Sequence, residues 1–165
     1  MERLPVAFAL MASLALAGCA VFQAEEEDEG EEQGTETSVA LEGVPAAVRR
    51  AAEAAVPGMT VVKASKETDE GRLYFEVSGT VGGEPVDVMT TPEGEVVTVE
   101  RGIHVDAVPE AVRAAALKRV PGLVPSKAEK ILEKGAVSYE LRGKAGGKVY
   151  EVKVSESGEV LEVED

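Results

Sequence analysis

The sequence predicts an α+β chain of two tandem repeats, each one helix packed on an antiparallel three- or four-stranded meander. Three observations lead there. The chain matches itself when shifted by 64 residues. Within each copy the hydrophobic period changes from about 3.6 to about 2. Glycine and proline interrupt both copies at the same places. The shift aligns Val44–Glu100 with Val108–Glu164 without a gap, at about 24 identities in 57 positions, a tandem duplication rather than chance similarity.

Each copy opens on a helix. Val44-Pro45-Ala46-Ala47-Val48-Arg49 answers Val108-Pro109-Glu110-Ala111-Val112-Arg113, and both prolines stand where a first helical turn tolerates them. Val48, Ala51, Ala52 and Ala55 fall on one face at helical spacing, as do Val112, Ala115 and Ala116. Pro57-Gly58 and Pro121-Gly122 stop these helices. Alternation follows: Leu73, Phe75 and Val77 against Tyr74, Glu76 and Ser78, then Val137, Tyr139 and Leu141 against Ser138, Glu140 and Arg142. Tyr150, Val152 and Val154 alternate with Glu151 and Lys153. Gly82-Gly83 and Gly146-Gly147, then Pro92-Glu93-Gly94 and Ser157-Gly158, are the hairpin turns between such runs. A weaker strand is expected before Gly71 and before Gly135, although Lys127–Leu132 also suits a helix. The repeats are placed at residues 43–101 and 107–165, with Arg101–Ala107 as a short bridge between two packed halves. A unit near 60 residues buries only about 60% of its unfolded surface, and with no disulfide or Trp it needs a neighbour's apolar surface.

The first nineteen residues have a different character. Leu4–Leu16 is an apolar run broken only by Pro5 and Ser13. It is shorter than the roughly 20 residues of a spanning helix and suits a signal-peptide core. It ends in Leu16-Ala17-Gly18-Cys19, which resembles the lipobox of bacterial lipoproteins, although Arg3 in the leading segment is offset by Glu2. That resemblance implies a removable signal at residues 1–18 and a lipid-modified Cys19, and so a bilayer as partner. Ala20 follows the cysteine, and without an Asp there the family rule favours an outer membrane in a cell that has one. Cys19 is the only cysteine, so its modification leaves no thiol for a disulfide.

Residues 19–42 are then a lipidated, acidic tether. Glu25–Glu36 holds eight acids without a base or an apolar residue, a composition that cannot bury surface. A flexible coil of about 23 residues reaches roughly 25–30 Å. A spacer explains it better than a calcium site, because the spacing of an EF-hand is absent.

Chemistry is sparse elsewhere. His104, the single histidine, stands in the connector and has no cysteine or carboxylate cluster at zinc-ligand spacing. Gly143–Lys148 lacks the spacing of a phosphate loop, and its counterpart Gly79–Gly83 marks it as a repeated hairpin. No catalytic residue, cofactor site or metal site is expected, and the chain is read as no enzyme. A net charge of −14 argues against nucleic acid. The copies differ, with five bases and ten acids in Val44–Glu100 against ten bases and nine acids in Val108–Glu164. A duplicated fold has therefore diverged in surface charge.

The order of a Val-Pro helix, a Pro-Gly break, an aromatic-Glu-aliphatic strand, a Gly-Gly hairpin and a Gly-Glu-Val strand resembles the PepSY-like domains, grouped with beta-lactamase-inhibitor-protein-like modules. The resemblance covers both copies and implies a small extracytoplasmic domain that touches other proteins, including the restraint of secreted peptidases. It carries no catalytic residues. The expected function is a membrane-tethered, extracytoplasmic protein-binding module whose partner is a peptidase or another envelope protein. The alternative is a periplasmic sensor or binder of cations or small ligands.

Overall fold

In the computed structural model, which describes residues 36–69 and 71–165, each repeat enters its helix through a proline. Pro45 and Pro109 sit at the N-cap with the same backbone angles, φ −53° and ψ 141°. They lead into α1 (Ala46–Ala55) and α2 (Glu110–Arg119). Proline's fixed φ sets the entry angle, and no side chain caps either helix by a hydrogen bond. Gly58 and Gly122 then take φ of 80° and 82°, left-handed values that only glycine adopts freely, and turn the chain into the sheet. The signal-like run 1–18, Cys19 and all of the acidic stretch 25–36 but its last residue lie outside the described residues.

The strands are β1 (Thr37–Val39), β2 (Thr60–Asp69), β3 (Arg72–Val81), β4 (Glu84–Thr90), β5 (Val96–Ile103), β6 (Val124–Glu133), β7 (Ala136–Ala145), β8 (Lys148–Ser155) and β9 (Val160–Glu164). They form one nine-stranded antiparallel sheet in chain order. The α+β class and the strand before Gly135 are as expected, but two details differ from the sequence reading. Thr37–Val39, assigned to the tether, is a strand paired with Ala64–Lys66, and Leu41–Gly43 is a 3-10 turn. Arg101–Ile103, assigned to the connector, continues β5, which leaves His104 and a 3-10 turn at Val105–Ala107. Lys127–Leu132 is strand, with Lys130 and Leu132 outward on the helix-covered face and Ile131 on the other.

Both helices lie on the same face. Val48 and Ala52 of α1 are buried with Ala64, Phe75, Val77, Val86 and Val88. Val112 and Ala116 of α2 are buried with Ala128, Tyr139, Leu141, Val152 and Val154. Alanine at the contact positions lets each helix lie close to the strands, and each fully buried valine contributes roughly 1.5–3 kcal/mol. The two cores do not merge. Between them Arg101 and Lys130, paired across β5 and β6, are exposed, and Leu132 is 44% exposed. The halves are joined by the backbone ladder from Thr98↔Glu133 to Ile103↔Ala128 instead of by the shared apolar surface expected.

Candidate docking face

Alternate residues of the strands point away from the helices, and no described element covers that side. Cross-strand register arranges its side chains in rows. One row runs Ser65, Glu76, Met89, Thr98 and Glu133 from β2 to β6. The next runs Ser78, Asp87, Glu100, Ile131 and Ser138 from β3 to β7. A third runs Gly102, Glu129, Glu140, Lys153 and Glu162 from β5 to β9.

Some acids of this face have partners. Arg142 Nε lies 3.1 Å from Glu151 and Lys153 Nζ 3.8 Å from Glu133. Ser78 Oγ donates to Glu76 at 3.1 Å. The central acids are different. Asp87 stands directly opposite Glu100, and Glu129 directly opposite Glu140. None of the four is in a salt bridge among the described residues. Like charges opposed across a ladder repel, and here they straddle the β5–β6 seam where the repeats meet.

The floor beneath them is closed. Ser65, Ser78, Thr98 and Ser138 are between 4% and 9% exposed, and Met89 and Ile131 only 5% and 3%. With no helix above, the surrounding long side chains are what exclude water from these positions. Ser65, Thr98 and Ser138 make no side-chain hydrogen bond among the described residues. Burial, reinforced by Glu129 and Glu140, pushes the Glu100 carboxyl up to about 8. Burial and then Glu151 push Glu140 up to about 7. Glu76 and Glu129 are also raised, in each case first by burial and then by Asp87.

The duplication explains this pattern. Glu76, Asp87 and Glu100 recur 64 residues on as Glu140, Glu151 and Glu164. The second copy carries Arg142 where the first has Ser78, and Lys153 where the first has Met89. Part of the charge difference between the repeats thus falls on this face. The strand alternation held enough information to put Glu76 and Glu140 on a polar face. It could not show that Glu100 and Glu129 become neighbours, because that depends on β5 pairing with β6. At one end of the seam a cleft of about 400 Å³ is bordered by Glu84, Pro85, Gly102, His104, Lys127 and Glu129. His104 is exposed there, and among the described residues no three His, Cys, Asp or Glu stand at metal-binding spacing.

Comparison with known proteins agrees with the duplicated fold. The family described as "Peptidase propeptide and YPEB domain", PepSY, matches residues 45–107 and again 109–164. A DUF2874 family protein of Bacteroides uniformis superposes with a TM-score of 0.61 at 18% identity, covering 73% of this chain and 88% of its own. A Bacteroides eggerthii protein, provisionally described as periplasmic, gives 0.61 at 19% identity with the same coverage, 73% and 88%. A BLIP-like protein of Bacteroides fragilis gives 0.58 at 17%, covering 73% and 86%. At these identities the likeness is one of fold. No curated protein matches the chain.

Proposed function

Because the chain belongs to the PepSY family of peptidase propeptide and YPEB domains, we propose that it is a lipid-anchored, extracytoplasmic module that binds another protein through the open face of its sheet. The observation that carries this reading is the face itself: a sheet surface across both repeats, uncovered among the described residues, with a closed floor and carboxylates lacking cationic partners. A surface of this kind is incomplete alone, since half-buried carboxyls without a base resist ionising and a complementary cation recovers that cost. The periplasmic and BLIP-like descriptions of structural neighbours support the compartment and the binding role. Anchoring rests on Cys19 at the end of the apolar run, and no helix among the described residues is long and apolar enough to cross a membrane. Restraint of a secreted peptidase follows from the family description alone.

Photo-crosslinking residues placed in vivo at Lys63 and Glu133 on the open face, and at Arg50 and Lys118 on the helices, test the binding surface. Adducts are expected from the first pair. Adducts confined to the helix positions, or none at all, would sink the reading. The peptidase role is checked by whether the purified chain slows hydrolysis by a partner captured in this way. Cys19→Ser should move the protein from membranes to the soluble fraction, because no other segment is apolar enough to hold it; membrane retention in high salt would place the anchor elsewhere.

A further inference from the structure

We propose that the four carboxylates at the seam, Asp87, Glu100, Glu129 and Glu140, are the docking site for a cationic segment of the partner, one presenting lysine or arginine side chains to the sheet. This rests on the open face being the binding surface and adds the chemistry of what binds there.

Three independent features point to a cation-bearing chain. The face pairs Glu151 and Glu133 with its own Arg142 and Lys153, while the four at the seam have no base within salt-bridge distance among the described residues. The four come from β4, β5, β6 and β7, so their placement depends on both repeats and on the seam between them. Beside them Thr98 and Ser138, residues 9% and 7% exposed on the open face, make no side-chain hydrogen bond among the described residues. An ammonium or guanidinium group offers donors for both the carboxylates and the hydroxyls. The cleft at the seam, next to Glu129, gives room for the stem of a long side chain. A bare metal ion suits the site less, since no three of these acids converge at ligand spacing.

The empty and occupied states differ in protons. Glu100 is faced by Asp87 from β4, Glu76 from β3, Glu129 from β6 and Glu140 from β7, and Glu140 also by Glu151 and Glu164. The bases acting on the cluster are Lys63, Lys127, Arg142 and Lys153, and burial outweighs them. At neutral pH the unoccupied seam therefore holds protons, and a cationic partner must displace them. Binding should release protons and strengthen as pH rises from about 6 to about 9.

Calorimetric titration of hexalysine into the full chain in detergent tests this. The acidic stretch at residues 25–36 also attracts hexalysine, so the comparison is between two variants that each lose three carboxyl groups. E100Q/E129Q/E140Q alters the seam, and E53Q/E110Q/E156Q alters exposed acids elsewhere. The seam variant should bind about tenfold or more weakly, and the control should change by less than about twofold. At about pH 7 the binding heat should depend on the buffer's ionisation enthalpy in the natural chain and lose that dependence in the seam variant. Equal weakening in both variants, or in neither, overturns the proposal. So does calcium chloride that blocks hexalysine at a lower concentration than hexalysine itself needs, which would make the occupant a metal ion. Removing repulsion should leave the seam variant folded, which its melting curve shows. If a partner crosslinks to Lys63 and Glu133 positions but hexalysine fails to discriminate, the cationic chemistry is wrong while docking on the face stands.

Discussion

Gly79 and Gly143 are the residues on which the sheet geometry turns. A Cβ on Gly79 would lie 2.2 Å from the Thr60 carbonyl oxygen, and one on Gly143 would lie 2.3 Å from that of Val124. Both oxygens belong to a strand just before a bulge, between Val61 and Lys63 in β2 and between Pro125 and Lys127 in β6. A backbone atom held in a ladder cannot move aside as a flexible side chain can. Gly143→Ala should therefore lower stability by roughly 2–3 kcal/mol, seen as a lower denaturant midpoint; a midpoint equal to the natural chain's would mean the strands are not so close. The sequence shows these glycines as a matched pair in the repeat, but the reason for the match is a contact some twenty residues back along the chain. The raised carboxyls give a second residue-scale expectation. Glu100 and Glu140 hold protons in the folded state at pH values where the unfolded chain has released them. Their contribution to stability is present below the ordinary carboxylate range and is lost as pH rises through about 7 to 8. The thermal midpoint should fall between about pH 5.5 and about pH 8.5, and E100Q/E140Q should flatten that fall. A midpoint that rises over this interval would contradict the burial of these groups.

At the scale of elements, the helices and hairpins were legible because each leaves a local mark: Val-Pro at entry, Pro-Gly at exit, two glycines at the turn. β1 left none. Thr37–Gly43 corresponds to Arg101–Ala107 at the 64-residue offset without one identity, yet both segments run from strand through a 3-10 turn into the helix. Gly43 donates to the Ala40 carbonyl as Ala107 does to that of His104. β1 is thus the shortened counterpart of β5, ordered by the β2 edge it pairs with and not by its own composition. Val39 packs against the first core. Val39→Asp should cost about 1–3 kcal/mol, read from the thermal midpoint, by burying an unpaired charge. An unchanged midpoint would mean that β1 does not dock. The candidate site was less legible than the elements for a related reason. Each strand announces which of its residues are polar, but not which strand will stand beside it.

For the whole molecule, the duplication was plain in the sequence and the join was not. Two small units without disulfides or Trp were expected to share an apolar core. They keep separate cores and share a sheet instead. Six residue pairs between β5 and β6 make the join. This arrangement pairs one strand edge of each meander that would be open in isolation, and it produces one face on which acids from both repeats meet. Everything proposed for that face depends on the seam being as firm as the hairpins on either side. Hydrogen exchange of the intact chain measures this most directly, through the amides of Thr98–Ile103 and Ala128–Glu133 against those of the β2–β3 and β7–β8 hairpins. Protection at the seam of the same order as in the hairpins is the expected result. Seam amides that exchange like free strand edges, while both hairpins stay protected, would show two independent beads with no common face.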